Sequence, residues 1–280
     1  MSTRPFTMPL LHFSFSDEHH TACVSGREGG VSVAPYDTAN LSFGVGDDPA
    51  AVVENRSRLC AMLGEPLDSL TVANQVHSGD VVIISAAQRG RGARTHADAV
   101  ANADALVTAT PGILLAVVLA DCVPVALVDP VRHVVAVAHA GWRGTVAHVT
   151  ANTVATMVEH FGCDPIDIRA GIGPSIGPAS YDVGADVILA VGDAFPNAPE
   201  VLQVTATRTT FDLWAANRQD LLMSGVLDHH IETSGIDVRA ESDRYFSHRA
   251  ARPTGRFMAL VMLADRGSGA TTPHARASRT

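Results

Sequence analysis

The sequence of 280 residues has few aromatic side chains and no surplus of positive charge. Aromatic residues make up 5% of the chain, and 29 acidic residues outnumber 20 lysines and arginines, for a net charge of −9. A nucleic-acid surface needs clustered positive charge and rings on which bases can stack. We therefore expect no nucleic-acid partner and favour a small-molecule substrate. If that substrate is an anion, local arginines must attract it against the overall field.

Long apolar runs, signal sequences and paired cysteine motifs are also missing. No apolar run reaches the roughly 18 residues of a membrane-spanning helix, and the N-terminal stretch lacks the apolar core of a signal peptide. Four cysteines occur without Cys-x-x-Cys spacing, and a chain of this size does not depend on disulfides. We expect reduced thiols, no membrane partner and a cytoplasmic location.

Hydrophobic residues make up 46% of the chain, which is enough to bury a large core. We predict a single large domain over residues 1–265. Residues 266–280 are small and polar, and we predict that they form a disordered tail.

The central part of the chain predicts a buried hairpin that carries a thiol and an imidazole. Residues 113–119, 123–128 and 133–138 are apolar runs, and Asp129-Pro130 is typical of a type I turn between the last two. If that turn closes Asp129 onto Arg132, Cys122 lies directly opposite His139, with Cβ atoms roughly 4.5 to 5.5 Å apart. Such a pair can bind one zinc ion. Because Pro124 cannot donate to a strand ladder, a bulge there would change this register.

His77 is a third candidate ligand, at the start of a turn between two predicted strands. Three nitrogen and sulfur ligands without a fourth are typical of a catalytic zinc site with an open position. The alternative is a buried thiol and two histidines that are hydrogen-bonded within the protein.

Two glycine-rich segments each allow two interpretations. After His139, the segment Gly141-Trp142-Arg143-Gly144 leads into a predicted helix that Gly162 ends, and its free N–H groups with Arg143 could hold a phosphate. Alternatively, the glycines only form the turn and Arg143 is solvated. Residues 171–178 are rich in glycine and proline, which suits either backbone close to a ligand or a rigid connector.

Two further segments predict surface features. Residues 86–103 are polar and lack a clear period, so we predict a mobile loop with His96 exposed. Asp48 and Pro49 are typical of the start of a helix. From the pattern alone, Arg56 on that helix is an ordinary solvated arginine.

Several segments together resemble the laccase-domain (YfiH-like) family, whose members are described as purine nucleoside phosphorylases. The resemblance covers residues 12–265, and the combination of the second and third segments is highly specific. The segments are Asn74-Gln75-Val76-His77, Ala120-Asp121-Cys122-Val123-Pro124, His139-Ala140-Gly141-Trp142-Arg143-Gly144 and Gly171-Ile172-Gly173-Pro174-Ser175-Ile176. The chain departs from the family pattern at Ala179-Ser180, where cysteine is frequent, and at His248, where tyrosine is common.

The resemblance implies an α+β fold with four layers, α/β/β/α, and a catalytic zinc held by His77, Cys122 and His139, with copper as the alternative metal. It implies phosphorolysis of adenosine, inosine, guanosine and methylthioadenosine, with adenosine deamination as a side activity. For phosphate and ribose we take Arg143, and Arg56 with Asn40, as the candidates.

Three rival functions stay open on the sequence. They are a copper-dependent polyphenol oxidase, a factor that edits peptidoglycan precursors, and a non-enzymatic protein with a structural metal. A coupled multicopper centre needs many histidines in short His-x-His spacing, which the chain lacks, and a structural metal needs a fourth ligand. The sequence does not distinguish a monomer from a homodimer.

Overall fold

The computed structural model describes residues 7–265, which form thirteen strands and five α-helices. The strands are β1 (Leu10–His12), β2 (His20–Ser25), β3 (Leu70–Val72), β4 (Val81–Ile83), β5 (Ala105–Thr108), β6 (Leu114–Leu119), β7 (Val123–Asp129), β8 (Val134–Ala140), β9 (Arg169–Ile172), β10 (Leu202–Val204), β11 (Thr209–Phe211), β12 (Ile231–Thr233) and β13 (Phe257–Leu263). The helices are α1 (Pro49–Met62), α2 (Trp142–Val146), α3 (Val149–Phe161), α4 (Ala185–Ala194) and α5 (Leu213–Met223). The tail predicted for residues 266–280 lies outside the described residues.

Two mixed sheets carry most of the strands. The five-stranded sheet has the order β1-β2-β13-β6-β3, and the six-stranded sheet has the order β12-β9-β7-β8-β5-β4. Neighbours are antiparallel except for β3 with β6, β4 with β5 and β9 with β12, which are parallel. The strands β10 and β11 form a separate antiparallel pair.

Three buried apolar clusters define the order of the layers. One cluster joins α1 to the outer face of the five-stranded sheet, through side chains such as Leu59 and Leu260. A second fills the space between the two sheets, and a third joins the outer face of the six-stranded sheet to α3, α4 and α5. The layers therefore run helix, sheet, sheet, helices, and the predicted α+β fold is confirmed.

The hairpin of β7 and β8 forms as predicted, but its predicted register is wrong. Asp129 pairs with Val134, so the turn is two residues longer than the one expected, and Pro124 rather than Cys122 lies opposite His139. The Asp129 carboxylate accepts hydrogen bonds from the amides of Val131 and Arg132, both at 2.8 Å, which holds the longer turn. Pro124 fits because the His139 amide donates to the Asp104 carbonyl instead.

The single helix predicted after Gly141 is broken into α2 and α3. His148 takes a left-handed conformation, with φ 55°, and its ring bonds to Asp220 of α5 at 2.8 Å. Gly162 ends α3 in a left-handed conformation, as the sequence predicts.

Residues 86–103, which the sequence predicts to be a mobile loop, have defined local structure. They contain two short 3₁₀ turns, and hydrogen bonds such as that from Arg91 Nε to the Asp98 carbonyl, at 2.9 Å, cross the segment. In residues 7–265, every helix is too short or too polar to span a bilayer.

Candidate metal centre

His77, Cys122 and His139 come together from three separate elements. Cys122 directly precedes β7, His139 lies near the end of β8, and His77 belongs to the turn between β3 and β4. One ligand atom from each residue lies within 4.8 Å of the other two. Asp121 and His77 have left-handed backbones, with φ 90° and 62°. Because Asp121 turns the chain just before β7, Cys122 reaches His139 without lying opposite it in the ladder.

Asp104 is a buried carboxylate that holds the His139 ring and the main chain of the turn at His77. Its Oδ1 lies 2.8 Å from His139 Nδ1 and accepts a hydrogen bond from the His77 amide at 3.0 Å. Its Oδ2 accepts from the amides of Val76 and Ser78, at 3.1 and 2.7 Å. An ionised carboxylate only accepts, so Nδ1 of His139 carries the proton and Nε2 is left to bind a metal.

The charges of the group favour a thiolate. Burial alone would raise the pKa of Cys122, but the charge of His139 and hydrogen bonds from His139 and His77 outweigh it and lower the pKa to about 6. Burial would lower the pKa of His139, but the Cys122 thiolate and Asp104 raise it to about 9. The other buried thiols differ, since burial raises the pKa of Cys23 and of Cys60 to about 12.

The donor set fits a zinc ion. Donor atoms on one zinc at bond lengths near 2.0 to 2.3 Å are roughly 3.3 to 3.8 Å apart, which the observed group reaches with a small movement. Gly141 keeps the space clear, because a Cβ there would lie 2.8 Å from Cys122 Sγ and 3.1 Å from His77 Cδ2. The group also has the thiolate, the two imidazoles and the carboxylate behind one histidine that zinc sites use.

The three residues open into a cavity of about 540 Å³. Within residues 7–265, four arginines and a single acidic side chain, Asp121, line this cavity. The arginines are Arg56, Arg249, Arg252 and Arg256. Burial lowers the pKa of Arg256, while the charges of Cys122 and Asp121 raise it. The cavity is therefore positively charged in a protein whose net charge is −9.

Tyr181 and His248 also line the cavity. Tyr181 directly follows Ala179-Ser180, one of the two departures from the family pattern, and His248 is the other. Burial raises the pKa of Tyr181 to about 12, so its hydroxyl keeps its proton. The side chain of His248 is largely exposed. Partial burial of its ring, and then the charges of Arg252 and Arg256, lower its pKa. His96 is exposed, as predicted, and lines the cavity as well.

The three residues that the sequence suggests for binding phosphate and ribose lie in different surroundings. Asn40 is fully buried and does not line the cavity, and its amide bonds to Ser42, Asp47 and the Arg256 amide. Every polar atom of its side chain thus has a partner in the protein.

Arg56 lines the cavity but is buried, contrary to the solvated arginine that the pattern suggested. It donates to the carbonyls of Leu41, Gly92 and Ala93, and its guanidinium lies 4.4 Å from the centre of the Phe43 ring. Burial lowers its pKa to about 9. These contacts tie α1 to the loop that contains Gly92.

Arg143 is exposed and does not line the cavity. Its guanidinium lies 4.1 Å from the centre of the Trp142 ring, and α2 has only five residues. These observations favour the alternative interpretation, in which the glycines form a turn and Arg143 is solvated.

The glycine- and proline-rich segment 171–178 packs against protein. A Cβ at Gly171 would lie 2.4 Å from the Phe13 ring, and one at Gly173 would lie 2.8 Å from Pro124. The Ile176 amide donates to the Asp121 carbonyl at 2.8 Å. The segment is thus a rigid connector that supports the turn at Asp121.

Comparison with known proteins gives a consistent result over nearly the whole chain. Residues 21–264 match the model of a family described as multi-copper polyphenol oxidoreductase laccase. A protein named purine nucleoside phosphorylase YlmD from Bacillus subtilis is 34% identical over 269 residues, which are 94% of this chain and 96% of that protein. A purine nucleoside phosphorylase from Deinococcus radiodurans is 42% identical over 240 residues, 86% of this chain and 88% of the relative.

Solved structures agree in fold. The crystal structure of YlmD from Geobacillus stearothermophilus superposes with a TM-score of 0.86 at 36% identity, over 89% of this chain and 93% of that one. The crystal structure of the hypothetical protein YfiH from Bacillus licheniformis gives a TM-score of 0.83 at 33% identity, over 87% and 92% of the two chains.

Proposed function

The chain belongs to the family described as multi-copper polyphenol oxidoreductase laccase, and from this premise we propose that it is a zinc-dependent purine nucleoside phosphorylase. The observation that carries the proposal is the group of His77, Cys122 and His139 at the wall of a positively charged cavity. The names of the Bacillus and Deinococcus relatives supply the reaction. The substrates we propose are adenosine, inosine, guanosine and methylthioadenosine, with adenosine deamination as a side activity.

In this proposal the metal is held by Cys122 Sγ and one nitrogen from each histidine. A zinc ion bound there would supply a Lewis acid that polarises an oxygen or nitrogen of the substrate. Asp104 keeps the proton of His139 on Nδ1, which orients that ring, and it holds the main chain of the turn that contains His77. The cavity volume of about 540 Å³ is within the range of small-molecule sites.

The donor set favours this proposal over a multicopper oxidase. Within residues 7–265, His77, Cys122 and His139 are the one group of three or more clustered histidine, cysteine or acidic side chains that suits a metal. A coupled multicopper centre requires several further histidines at short range. A single three-residue group supports one metal with an open position.

Product analysis tests the reaction. The zinc-loaded protein is incubated with each of the four nucleosides, with and without inorganic phosphate, and the products are separated by chromatography. We expect free base and ribose 1-phosphate, or its methylthio analogue, and only when phosphate is present. Equal base release without phosphate would indicate a hydrolase, and inosine as the sole product from adenosine would indicate a deaminase.

Elemental analysis tests the metal. We expect about one zinc per chain in the wild-type protein and a sharp loss in Cys122→Ala and His139→Ala. Cys23→Ala is the matched control, because Cys23 is a buried thiol in the core between α1 and the five-stranded sheet. Full metal retention in the first two variants would exclude this site.

A further inference from the structure

Three arginines of the segment 249–256 line the cavity and keep hydrogen-bond donors unused. Among the described residues, their guanidinium groups donate hydrogen bonds to main-chain carbonyls alone. Arg249 Nη1 donates to the Asp182 carbonyl at 3.2 Å, and Arg252 Nε donates to the His248 carbonyl at 3.1 Å. Arg256 Nη1 donates to the carbonyls of Thr254 and Gly255 at 3.0 and 2.9 Å. No described residue accepts from Nε or Nη2 of Arg249 and Arg256, or from either terminal nitrogen of Arg252. No described carboxylate forms an ion pair with any of the three. We call these residues the arginine cluster.

The arginine cluster is fixed to the residue beside the candidate metal ligand. Asp121 Oδ1 accepts from Ser247 Oγ at 2.5 Å, and Oδ2 accepts from the Arg249 amide at 2.7 Å. Asp121 directly precedes Cys122 in the chain. The start of the segment is therefore held at a set position relative to Cys122, and the guanidinium of Arg249 is kept 5.1 Å from the centre of the Tyr181 ring.

Free guanidinium donors at a cavity wall suit an oxyanion. Arginine presents a planar fork of N–H groups that matches phosphate oxygens, and an anion bound there would meet three positive charges. Asp121, the only acidic side chain among the described residues of the wall, uses both oxygens for the bonds to Ser247 and Arg249. The cavity thus supplies the local attraction that a chain of net charge −9 otherwise lacks.

We propose that the arginine cluster is the phosphate-binding subsite of the cavity and that Arg143 is not. The assignment rests on the function proposed above, since inorganic phosphate is the second substrate of a phosphorylase. Phosphate binds beside Cys122, at the side of the cavity formed by residues 249–256, and the nucleoside occupies the remaining volume. Arg56 makes a smaller contribution, because three of its hydrogen bonds go to main-chain carbonyls.

Steady-state kinetics of single variants tests the assignment. We expect Arg249→Gln, Arg252→Gln and Arg256→Gln each to raise the KM for phosphate by roughly 10- to 100-fold, with a much smaller change in the KM for inosine. Arg89→Gln is the matched control, since Arg89 is exposed, donates to the Gly112 carbonyl and lies outside the cavity wall. Unchanged KM values for phosphate in all three variants would overturn the proposal. Arg256→Lys, which keeps the charge, provides a second test if Arg256→Gln fails to fold.

Calorimetric titration with inorganic phosphate separates this proposal from the proposed function. If the wild-type protein binds phosphate and the cluster variants do not, the subsite stands even where no nucleoside is cleaved. If nucleosides are cleaved with phosphate while the variants bind phosphate as the wild type does, the function stands and the subsite is wrong. Loss of phosphate binding in Arg143→Gln, with the cluster variants unaffected, would move the subsite to the start of α2.

Discussion

Asp104 has no exposed surface and accepts hydrogen bonds from a histidine ring and from three consecutive residues of a turn. Nothing in the sequence marked it, because it lies between the loop of residues 86–103 and β5, far in the chain from Cys122 and His139. Its position is nevertheless informative. An aspartate that directly precedes a buried strand can reach a ligand on the neighbouring strand. Recognising it requires knowing that β5 pairs with β8, which the sequence pattern does not give.

Substitution of Asp104 tests whether that carboxylate positions the ligands. Asp104→Asn keeps the shape but places an NH₂ group where an oxygen accepts hydrogen bonds, so at least one buried donor loses its partner. We expect zinc affinity to fall about 10- to 100-fold and the free energy of unfolding to fall by roughly 2 to 4 kcal/mol. Competition with a chelator and urea unfolding measure the two effects. Unchanged zinc affinity in a folded variant would assign Asp104 to the fold alone.

Asp220 provides a pH-dependent test away from the candidate metal. Burial raises the pKa of this carboxyl, against the opposing hydrogen bond from His148, and its Oδ2 has no partner among the described residues. Because the pKa of Asp220 is higher in the folded state, its protonation stabilises the fold, and this contribution is complete below the unfolded-state pKa near 4. It is lost as the pH rises through the folded-state pKa near 6. The contribution of Asp220 to stability should therefore fall between pH 4 and pH 6.

Urea unfolding of the wild type and of Asp220→Asn at several pH values isolates this contribution. Asparagine does not titrate, so the difference in unfolding free energy should shift in favour of the wild type by about 1 to 3 kcal/mol as the pH falls from 7 to 4. Parallel curves for the two proteins would mean that Asp220 titrates as it does in the unfolded chain.

The positions of the strands were more predictable from the sequence than their pairing. The apolar runs predicted β6 and β7 to within one residue, because a strand buried on both faces is an uninterrupted apolar run. The register of the hairpin was not predictable, since Asp129-Pro130 suits both a two-residue and a four-residue turn. The break at His148 is also tertiary, because Asp220 lies 72 positions further along the chain.

The junction of β8 and α2 has a glycine whose missing side chain leaves room for the ligands. Gly141 has φ −71°, which any residue can adopt, so Gly141→Ala changes the space and not the backbone. The added Cβ would lie 2.8 Å from Cys122 Sγ, and we expect most of the bound zinc to be lost. Gly192 of α4 is the control, because a Cβ there meets no atom within 4 Å, and Gly192→Ala should gain up to about 1 kcal/mol. Equal zinc content in both variants would show that the site tolerates the extra atom.

The site is assembled from segments that are far apart in the chain and that only the fold brings together. The three candidate ligands come from a turn of β3–β4, the start of β7 and the end of β8, while the arginine cluster precedes β13 in the other sheet. The family resemblance named the candidate ligands and the layers, since short motifs can be read in the sequence itself. The arginine cluster was not predictable from spacing, because Asp121 and Ser247 are 126 positions apart.

Phosphorus-31 NMR of a single reaction mixture distinguishes phosphorolysis from hydrolysis directly. Zinc-loaded protein, inosine and inorganic phosphate are combined, and the phosphorus signals are followed with time. We expect the phosphate signal to decline as a ribose 1-phosphate signal grows, at a rate that Cys122→Ala abolishes and Cys23→Ala leaves unchanged. Base release with no new phosphorus signal, or an equal rate in Cys122→Ala, would contradict it.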